Sequence, residues 1–455
     1  MPIGPMPSAR TVMLITASSP EIRRVRRSRV LNFQQITMPY LAAFVPPSWR
    51  VIHFDEEAGP VDESIPADLV AMTFHTPSAY HAYAMAGRFR SKGIPVVLGG
   101  PHVTLMPDEA ERHADAIFIG EAEEEWPRFL NDFGKGMIRK RYHPAEVPDL
   151  AVAPVPVREH FHRRDHTGGV LFATRGCTHG CEFCTLAVMY RRLFRTRPVD
   201  AVAAEFASFR GKIVIFWDDN LANDREYAKK LFRAIAPAGK WWSSQVSVEA
   251  GADEEFLRLA ALSGCKQLFL GLESLSQASM DGAGKKFNRV DRYARIIDRI
   301  HAHGIAVQAG IVFGFDHDDE TIFEKTVRFL DASGVQNATF NILTPYPGTP
   351  LFLRLQREGR ILSRDWRRYN GRGDVVFTPK LMSPEILRDG FIYATKHFYS
   401  AGSIMRRLAR SPVGLWWTLP LNTAYASALL LHPVSVPALP SLTAEYLPES
   451  GPLPA

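Results

Sequence analysis

The sequence predicts an α/β protein with two parallel-sheet domains in series and a small, mostly helical C-terminal subdomain. Two series of short apolar runs alternating with helical stretches predict it, and a proline-dense connector lies between them. Length agrees, since 455 residues exceed what one ordinary core organises.

The first series occupies residues 1–145. Its candidate strands are "TVMLIT" (11–16), "WRVIHF" (49–54), "DLVAMTF" (68–74), "IPVVLGG" (94–100) and "DAIFIG" (115–120). These runs do not alternate with polar residues, as expected of strands buried on both faces. "SAYHAYAMAGRFRSKG" (78–93) is the clearest intervening helix. The pattern is that of an open flavodoxin-like or Rossmann-like domain, whose ligand would sit at the carboxyl ends of the strands near a topological switch point.

"HPAEVPDLAVAPVPVREHF" (143–161) reads as extended chain, and the linker is placed at 146–165. The second series, 166–360, offers strands at 170–174, 213–217, 243–247, 267–271, 306–314 and 337–343. Helical patterns at 201–209, 224–236, 253–264, 291–304 and 320–334 fill the gaps, several ending in glycine. Six βα units in a row favour a closed or partly closed parallel barrel, a fold that works at the carboxyl ends of its strands. Residues 361–455 read as a cap, helical from about 384 to 410, with a disordered "PALPSLTAEYLPESGPLPA" tail.

Hydrophobic residues make up 46% of the chain and charged residues 22%, as in a soluble globular enzyme. A net charge of +6 is mild for this length and calls for no nucleic acid. The four cysteines are not spread as a disulfide framework, which indicates a reducing compartment. "MPIGPMPSARTVMLIT" lacks the pattern of a signal peptide, and "VGLWWTLPLNTAYASALLLHPV" (413–434) is interrupted by Pro420, so a cytoplasmic protein is expected.

Three of the four cysteines fall in "TRGCTHGCEFC" (174–184), just after the first strand of the second series. Cys177, Cys181 and Cys184 lie on a glycine-containing loop and can converge on one metal centre. A zinc site would want a fourth protein ligand, for which His179 or Cys265 are the candidates. Three thiolates suit a 4Fe–4S cluster with one iron left open. Cys265 opens its strand, at the wrong end of a barrel, and reads better as a small buried hydrophobe.

CxxxCxxC with an aromatic (Phe183) before the third cysteine, at the end of the first strand of a βα barrel, resembles the radical S-adenosylmethionine (radical SAM) superfamily. The resemblance implies a partial (β/α)6 TIM-like barrel with the cluster on Cys177, Cys181 and Cys184. "WDDN" (217–220), with Asp218 and Asp219, falls where that family surrounds the S-adenosylmethionine amino group. Ser247 and Glu249 in "VSVE", and Glu273 and Ser274 in "GLES", resemble ribose and methionyl contacts. Gly310 and Gly314 in "GIVFGF" resemble the segment along adenine, and "TPYPGTP" (344–350) is similar to a stretch of many cobalamin-associated members. Taken singly, each acidic residue is as well explained as a loop charge or helix cap.

In the first domain "VVLGGPHVTLMPDEA" (96–110) and "FIGEAEEEWP" (118–127) resemble the cobalamin-binding subclass. The resemblance gives Gly99 and Gly100 the role of letting the backbone approach the corrin tail. One departure is plain: no Asp-x-His-x-x-Gly motif follows the first strand, where the chain reads "ASSPEIRRVRRSRVLNF". Cobalamin would therefore bind without a histidine ligand, or the domain is a cobalt-free relic. His53 and His75 read as packing or loop histidines, and arginines 23, 24, 26, 27 and 29 as a solvated basic face.

What the resemblance implies is a cobalamin-dependent radical methyltransferase. One S-adenosylmethionine would methylate the corrinoid, and a second would be split by one electron into methionine and a 5′-deoxyadenosyl radical. The substrate would be a small molecule or lipid, and the electron donor a ferredoxin or flavodoxin. Radical cyclisation or carbon–carbon coupling shares the same motifs. An RNA methylthiotransferase fits less well, because that family places cysteines in its first domain and none precedes Cys177 here. Arg406, Arg407 and Arg410 beside Trp416 and Trp417 read first as a helix packed on the barrel with its arginines outward, with peripheral membrane contact as the alternative.

Overall fold

Apolar runs bounded by turn residues become parallel strands in both halves of the chain. A computed structural model describes residues 10–26, 35–159 and 168–431. These fall into two units, one of described residues up to 159 and one from 168 onward. The predicted linker is in part, and the predicted tail wholly, outside the described residues, as are Arg27 and Arg29.

The first unit is a six-stranded parallel sheet of β1 (Thr11–Thr16), β2 (Arg50–Asp55), β3 (Leu69–Thr73), β4 (Val96–Gly99), β5 (Ala116–Phe118) and β6 (Arg141–Tyr142). The order β2-β1-β3-β4-β5-β6 is flavodoxin-like, with its switch point between β1 and β3. Val12, Leu14, Leu69, Ala71 and Val97 are buried from the central strands, and helix Glu125–Gly134 packs Trp126 and Phe129 against them. β6 was not legible in the sequence because two residues carry no period. Gly100 follows β4 with φ +97°, and a Cβ there would collide with the Thr73 hydroxyl and lie 3.1 Å from the Phe74 nitrogen. The glycine is thus required by the chain's own β3–β4 packing, whatever ligand the domain takes.

In the second unit the predicted first strand divides. β7 (Gly169–Leu171) joins the sheet, whereas β8 (Thr174–Gly176) turns away to pair antiparallel with β9 (Phe194–Thr196). The sheet continues through β10 (Ile213–Phe216), β11 (Trp241–Val246), β12 (Cys265–Glu273), β13 (Ala306–Phe313) and β14 (Asn337–Ile342). All neighbours are parallel, in the order β14-β13-β12-β11-β10-β7. Six strands in sequence order with helices between them form the partial barrel.

The C-terminal segment has helices Pro384–Phe398, Ala401–Leu408 and Leu415–Leu431. The last was not read as a helix, because Pro420 lies inside it. Asn422, two residues past the proline, donates from its side chain to the Thr418 carbonyl at 2.9 Å and to Asn337 at 3.0 Å. Trp417 reaches Gln267 on β12 at 3.1 Å, so this helix covers the amino ends of the strands. Arg407 also points inward, 1% exposed, its guanidinium 3.6 Å over the Phe398 ring. The expectation of outward arginines fails there because Asp331, Asn422 and the Phe398 carbonyl give that charge buried partners.

Gly100→Ala is expected to destabilise the first unit by ~1–3 kcal/mol through left-handed strain and the Thr73 collision. Urea unfolding of corrinoid-free protein checks it. An unchanged midpoint would mean that Gly100 is held for a ligand alone.

Candidate functional site

The three clustered cysteines sit outside the sheet, between the strands of a hairpin. Asp218, at the carboxyl end of β10, makes the exit. Its buried carboxylate accepts from the Ala173 N–H at 3.2 Å, the Thr174 N–H at 2.5 Å and the Thr174 hydroxyl at 2.6 Å. Of these, the Ala173 N–H is the one in register to continue the β7 ladder with β10. Burial pushes the Asp218 carboxyl up to about 7 against the pull of these donors.

The same loop grips the cysteine segment at three further points. Asp219 accepts from the Gly176 N–H at 2.8 Å, and Asn223 from the Thr178 N–H at 3.1 Å. Asn220 directs its amide nitrogen to the Cys177 sulfur at 3.8 Å. Gly176 has φ +89°, and a Cβ there would strike the Leu193 carbonyl across the hairpin.

From the other side the Glu182 N–H donates to the Ala283 carbonyl at 3.0 Å. Arg354 forks onto the Glu182 carboxylate at 2.8 and 3.1 Å and reaches Asp316 at 2.7 Å. The Leu351 N–H donates to the Glu182 carbonyl at 2.9 Å. Phe183 packs edge-on against Phe315, ring centres 5.6 Å apart, so the aromatic before the third cysteine anchors the loop on the strand β13 end.

Cys184 stands at the start of helix Thr185–Met189, and its N–H donates to the Cys181 carbonyl at 3.1 Å. Burial, with the neighbouring thiols and Glu273 adding, pushes the Cys181 thiol up to about 12; burial likewise raises Cys184. Lys285 answers this negative charge. Burial alone would lower its ammonium, but Glu273, Cys181 and Cys184 outweigh burial and hold it above its usual range. It pairs with Glu273 at 2.5 Å and with the Gly271 carbonyl at 3.0 Å.

Three mutually interacting thiols beside a nearly buried ammonium suit a cluster of net negative charge. Among the described residues no three His, Cys, Asp or Glu side chains are gathered as ligands of one metal ion. The two other zinc candidates are used elsewhere. His179 stacks on Phe287 at 3.7 Å, and buried Cys265 donates to its own strand at the Gln267 carbonyl.

A family model described as the Radical SAM superfamily matches residues 171–330, the segment that carries all of this. Those residues form a radical SAM domain. A domain of unknown function, DUF4070, matches residues 349–413, including Arg354. Bacteriochlorophyllide d C-12(1)-methyltransferase of Chlorobaculum tepidum is 29% identical, over 86% of this chain and 89% of its own. Hopanoid C-2 methylase of Rhodopseudomonas palustris is 27% identical over 72% of this chain and 66% of its own. Among solved structures, the radical S-adenosylmethionine methyltransferase TsrM of Kitasatospora setae, with cobalamin and a 4Fe–4S cluster bound, superposes with a TM-score of 0.69. It covers 92% of this chain and 99% of its own at 14% identity, a likeness of fold.

In the second sheet Gly310 lies inside β13, the other singled-out residues stand at or just beyond strand ends, and several are engaged by the chain itself. Ser274 is buried and donates to Asp318 at 2.9 Å. Gly310 makes room for the Phe269 ring, and Gly314, at φ +107°, for Leu387 and Phe377. Glu273 carries φ +64° and is held by Lys285. Ser247 gives its N–H to Asn220 at 2.9 Å, and Glu249 is part exposed with Arg225 4.0 Å away. Lys285, Arg354 and the sulfur contact of Asn220 were not read from the sequence. Folding brings them to the loop from 36 to 177 residues away, and no spacing announces them.

In the first unit the carboxyl end of β1 is polar and enclosed. Ser18 is 3% exposed, and among the described residues the hydroxyls of Thr16 and Ser18 are buried without a hydrogen-bond partner. The Ser18 N–H donates to buried Glu56 at 3.0 Å, which also takes His81 at 2.7 Å and Arg23 at 3.3 Å. Arg23 is therefore paired rather than simply solvated. His53 is buried within β2, and His75 lies exposed beyond β3.

Arg354→Gln is expected to release the loop. Iron taken up by the protein on anaerobic reconstitution should be lost to a chelator about tenfold faster, the effect of losing ~1.5 kcal/mol of charged hydrogen bonding. Arg360→Gln, which leaves the Glu182 fork intact, should change that rate little. Equal rates in wild type and the Arg354 variant would show that the fork does not hold the loop.

Proposed function

We propose that this chain is a cobalamin-dependent radical SAM methyltransferase acting on an unactivated carbon of a small molecule or lipid. Coverage carries the reading: the match to the bacteriochlorophyllide methyltransferase takes in 86% of the chain, and the 14% left over is smaller than either unit. Tetrapyrroles of that type are the first substrates to try. Cys177, Cys181 and Cys184 would hold a 4Fe–4S cluster with one iron open to the amino and carboxylate groups of S-adenosylmethionine. Such a cluster supplies the electron that splits the sulfonium and frees a 5′-deoxyadenosyl radical.

This chain's own residues would bind and orient. Asp219, Ser247, Glu249 and Glu273 stand at successive strand ends around the loop, where the polar groups of S-adenosylmethionine would lie. Asp218 and Ser274 would act from behind, fixing the turns. The segment from Gly310 to Phe315 would lie along adenine, while its two glycines make room for the Phe269, Leu387 and Phe377 side chains. In the first unit the buried Thr16 and Ser18 hydroxyls at the switch point are a reason to place a polar ligand there, and the ends of β3 and β4, with Gly99 and Gly100, would border the corrin tail. With no Asp-x-His-x-x-Gly motif after β1, a bound cobalamin would receive no histidine ligand from that loop.

The electron would come from a ferredoxin or flavodoxin in a reducing cytoplasm. No helix among the described residues is long and apolar enough to cross a membrane. With Arg407 and Trp417 packed inside, peripheral contact would rest on exposed Leu415, Trp416 and Leu419.

Protein produced with cobalamin and purified anaerobically is expected to carry about one corrinoid per chain. It should form 5′-deoxyadenosine and S-adenosylhomocysteine together with methylated tetrapyrrole. 5′-Deoxyadenosine alone, with corrinoid bound, would favour cyclisation, the activity named for a 23% identical magnesium-protoporphyrin IX monomethyl ester cyclase. An intact cluster without corrinoid would overturn methyl transfer by this route.

A further inference from the structure

Asn220 lies in the sequence between two residues read as cofactor contacts, yet its own side chain turns toward the cysteines. We infer that Asn220 is a positioning residue that raises the electron affinity of the bound cluster by donating an N–H hydrogen bond to the Cys177 sulfur. The inference rests on the reading of Cys177 as a cluster ligand.

The orientation of the amide is fixed by its other end. The Asn220 oxygen accepts from the Ser247 N–H at 2.9 Å, and only an acceptor satisfies that group. The amide nitrogen must then face the other way, and there it finds the Cys177 sulfur at 3.8 Å. The residue is 4% exposed, so water does not compete freely for the donor.

The backbone around it is equally constrained. The Asn220 carbonyl accepts from the Asn223 N–H at 3.0 Å, and the Asp219 carbonyl from the Gln245 side chain at 3.0 Å. The strand β10 end, the strand β11 end and the cysteine loop thus meet at one amide.

A hydrogen bond donated to a ligating thiolate withdraws charge from the sulfur. It favours the reduced cluster, which carries one more negative charge, over the oxidised one. Lys285 acts in the same direction from the Cys181 and Cys184 side. Cys177 gets its share from a neutral donor, whose effect is local to one sulfur. Removing the donor should lower the reduction potential without removing a ligand.

Two variants separate tuning from support. Asn220→Asp keeps an oxygen for the Ser247 N–H and replaces the donor with a second oxygen facing the sulfur. Asn220→Leu removes both functions without adding charge. Wild type and both variants are reconstituted anaerobically, their iron is counted, and the cluster potential is measured by EPR-monitored titration without S-adenosylmethionine. At matched iron content, Asn220→Leu should disfavour reduction about tenfold, a fall of about 59 mV for a one-electron couple. Asn220→Asp should fall further.

If Asn220→Asp binds no cluster, the leucine variant decides. Unchanged potentials with lowered iron, or loss of the cluster in both variants, would make Asn220 a strut and overturn tuning. A wild-type chain that takes up no cluster would instead overturn the reading of Cys177 itself, and the inference with it.

Discussion

A buried carboxylate turns the chain out of the sheet at the point where the cysteines must begin. Asp218 takes the Ala173 N–H that would continue the β7 ladder, and the Thr174 N–H beside it, and β8 departs as one strand of a hairpin. Everything else at the site depends on that exit. A loop bearing three thiols cannot lie within a parallel sheet, and outside it the loop needs partners for its own backbone. Asp219 and Asn223 supply them from one side, and Ala283, Leu351 and Arg354 from the other.

The electrostatics follow from the burial. Thiols enclosed this way resist ionisation, and Cys181 is pushed up to about 12. Metal binding must displace those protons, and positive charge nearby lessens the cost. Lys285 is that charge, and Glu273 keeps it protonated while adopting a backbone conformation that side chains seldom take. This strained residue, held by its ion pair with Lys285, stands at the β12 end beside the cysteines. Arg354 adds a second constraint from the segment matched by DUF4070, so the C-terminal portion is part of the cysteine loop's support.

Much of the fold was legible, for a physical reason. Strands buried on both faces leave uninterrupted apolar runs, and amphipathic helices leave a period. Thus β1 to β5 and β10 to β14 lie where the runs lie, within a few residues. β6 escaped because two residues make no pattern, and helix Leu415–Leu431 because Pro420 reads as a stop. The split of the first strand into β7 and β8 was invisible because its cause, Asp218, lies more than forty residues downstream. At the site, local spacing announced the cysteines. The amide of Asn220 and the cations of Lys285 and Arg354 meet the loop only through tertiary structure, and a single sequence carries no mark of that.

The central claim is that the three cysteines hold a cluster with one iron open to S-adenosylmethionine. The EPR spectrum of the reduced, reconstituted protein, recorded with and without S-adenosylmethionine, tests it most directly. The expected result is a reduced 4Fe–4S signal that changes shape when S-adenosylmethionine is added, and that disappears in Cys177→Ala, Cys181→Ala or Cys184→Ala. A signal indifferent to S-adenosylmethionine, or one that survives loss of these cysteines, would contradict it.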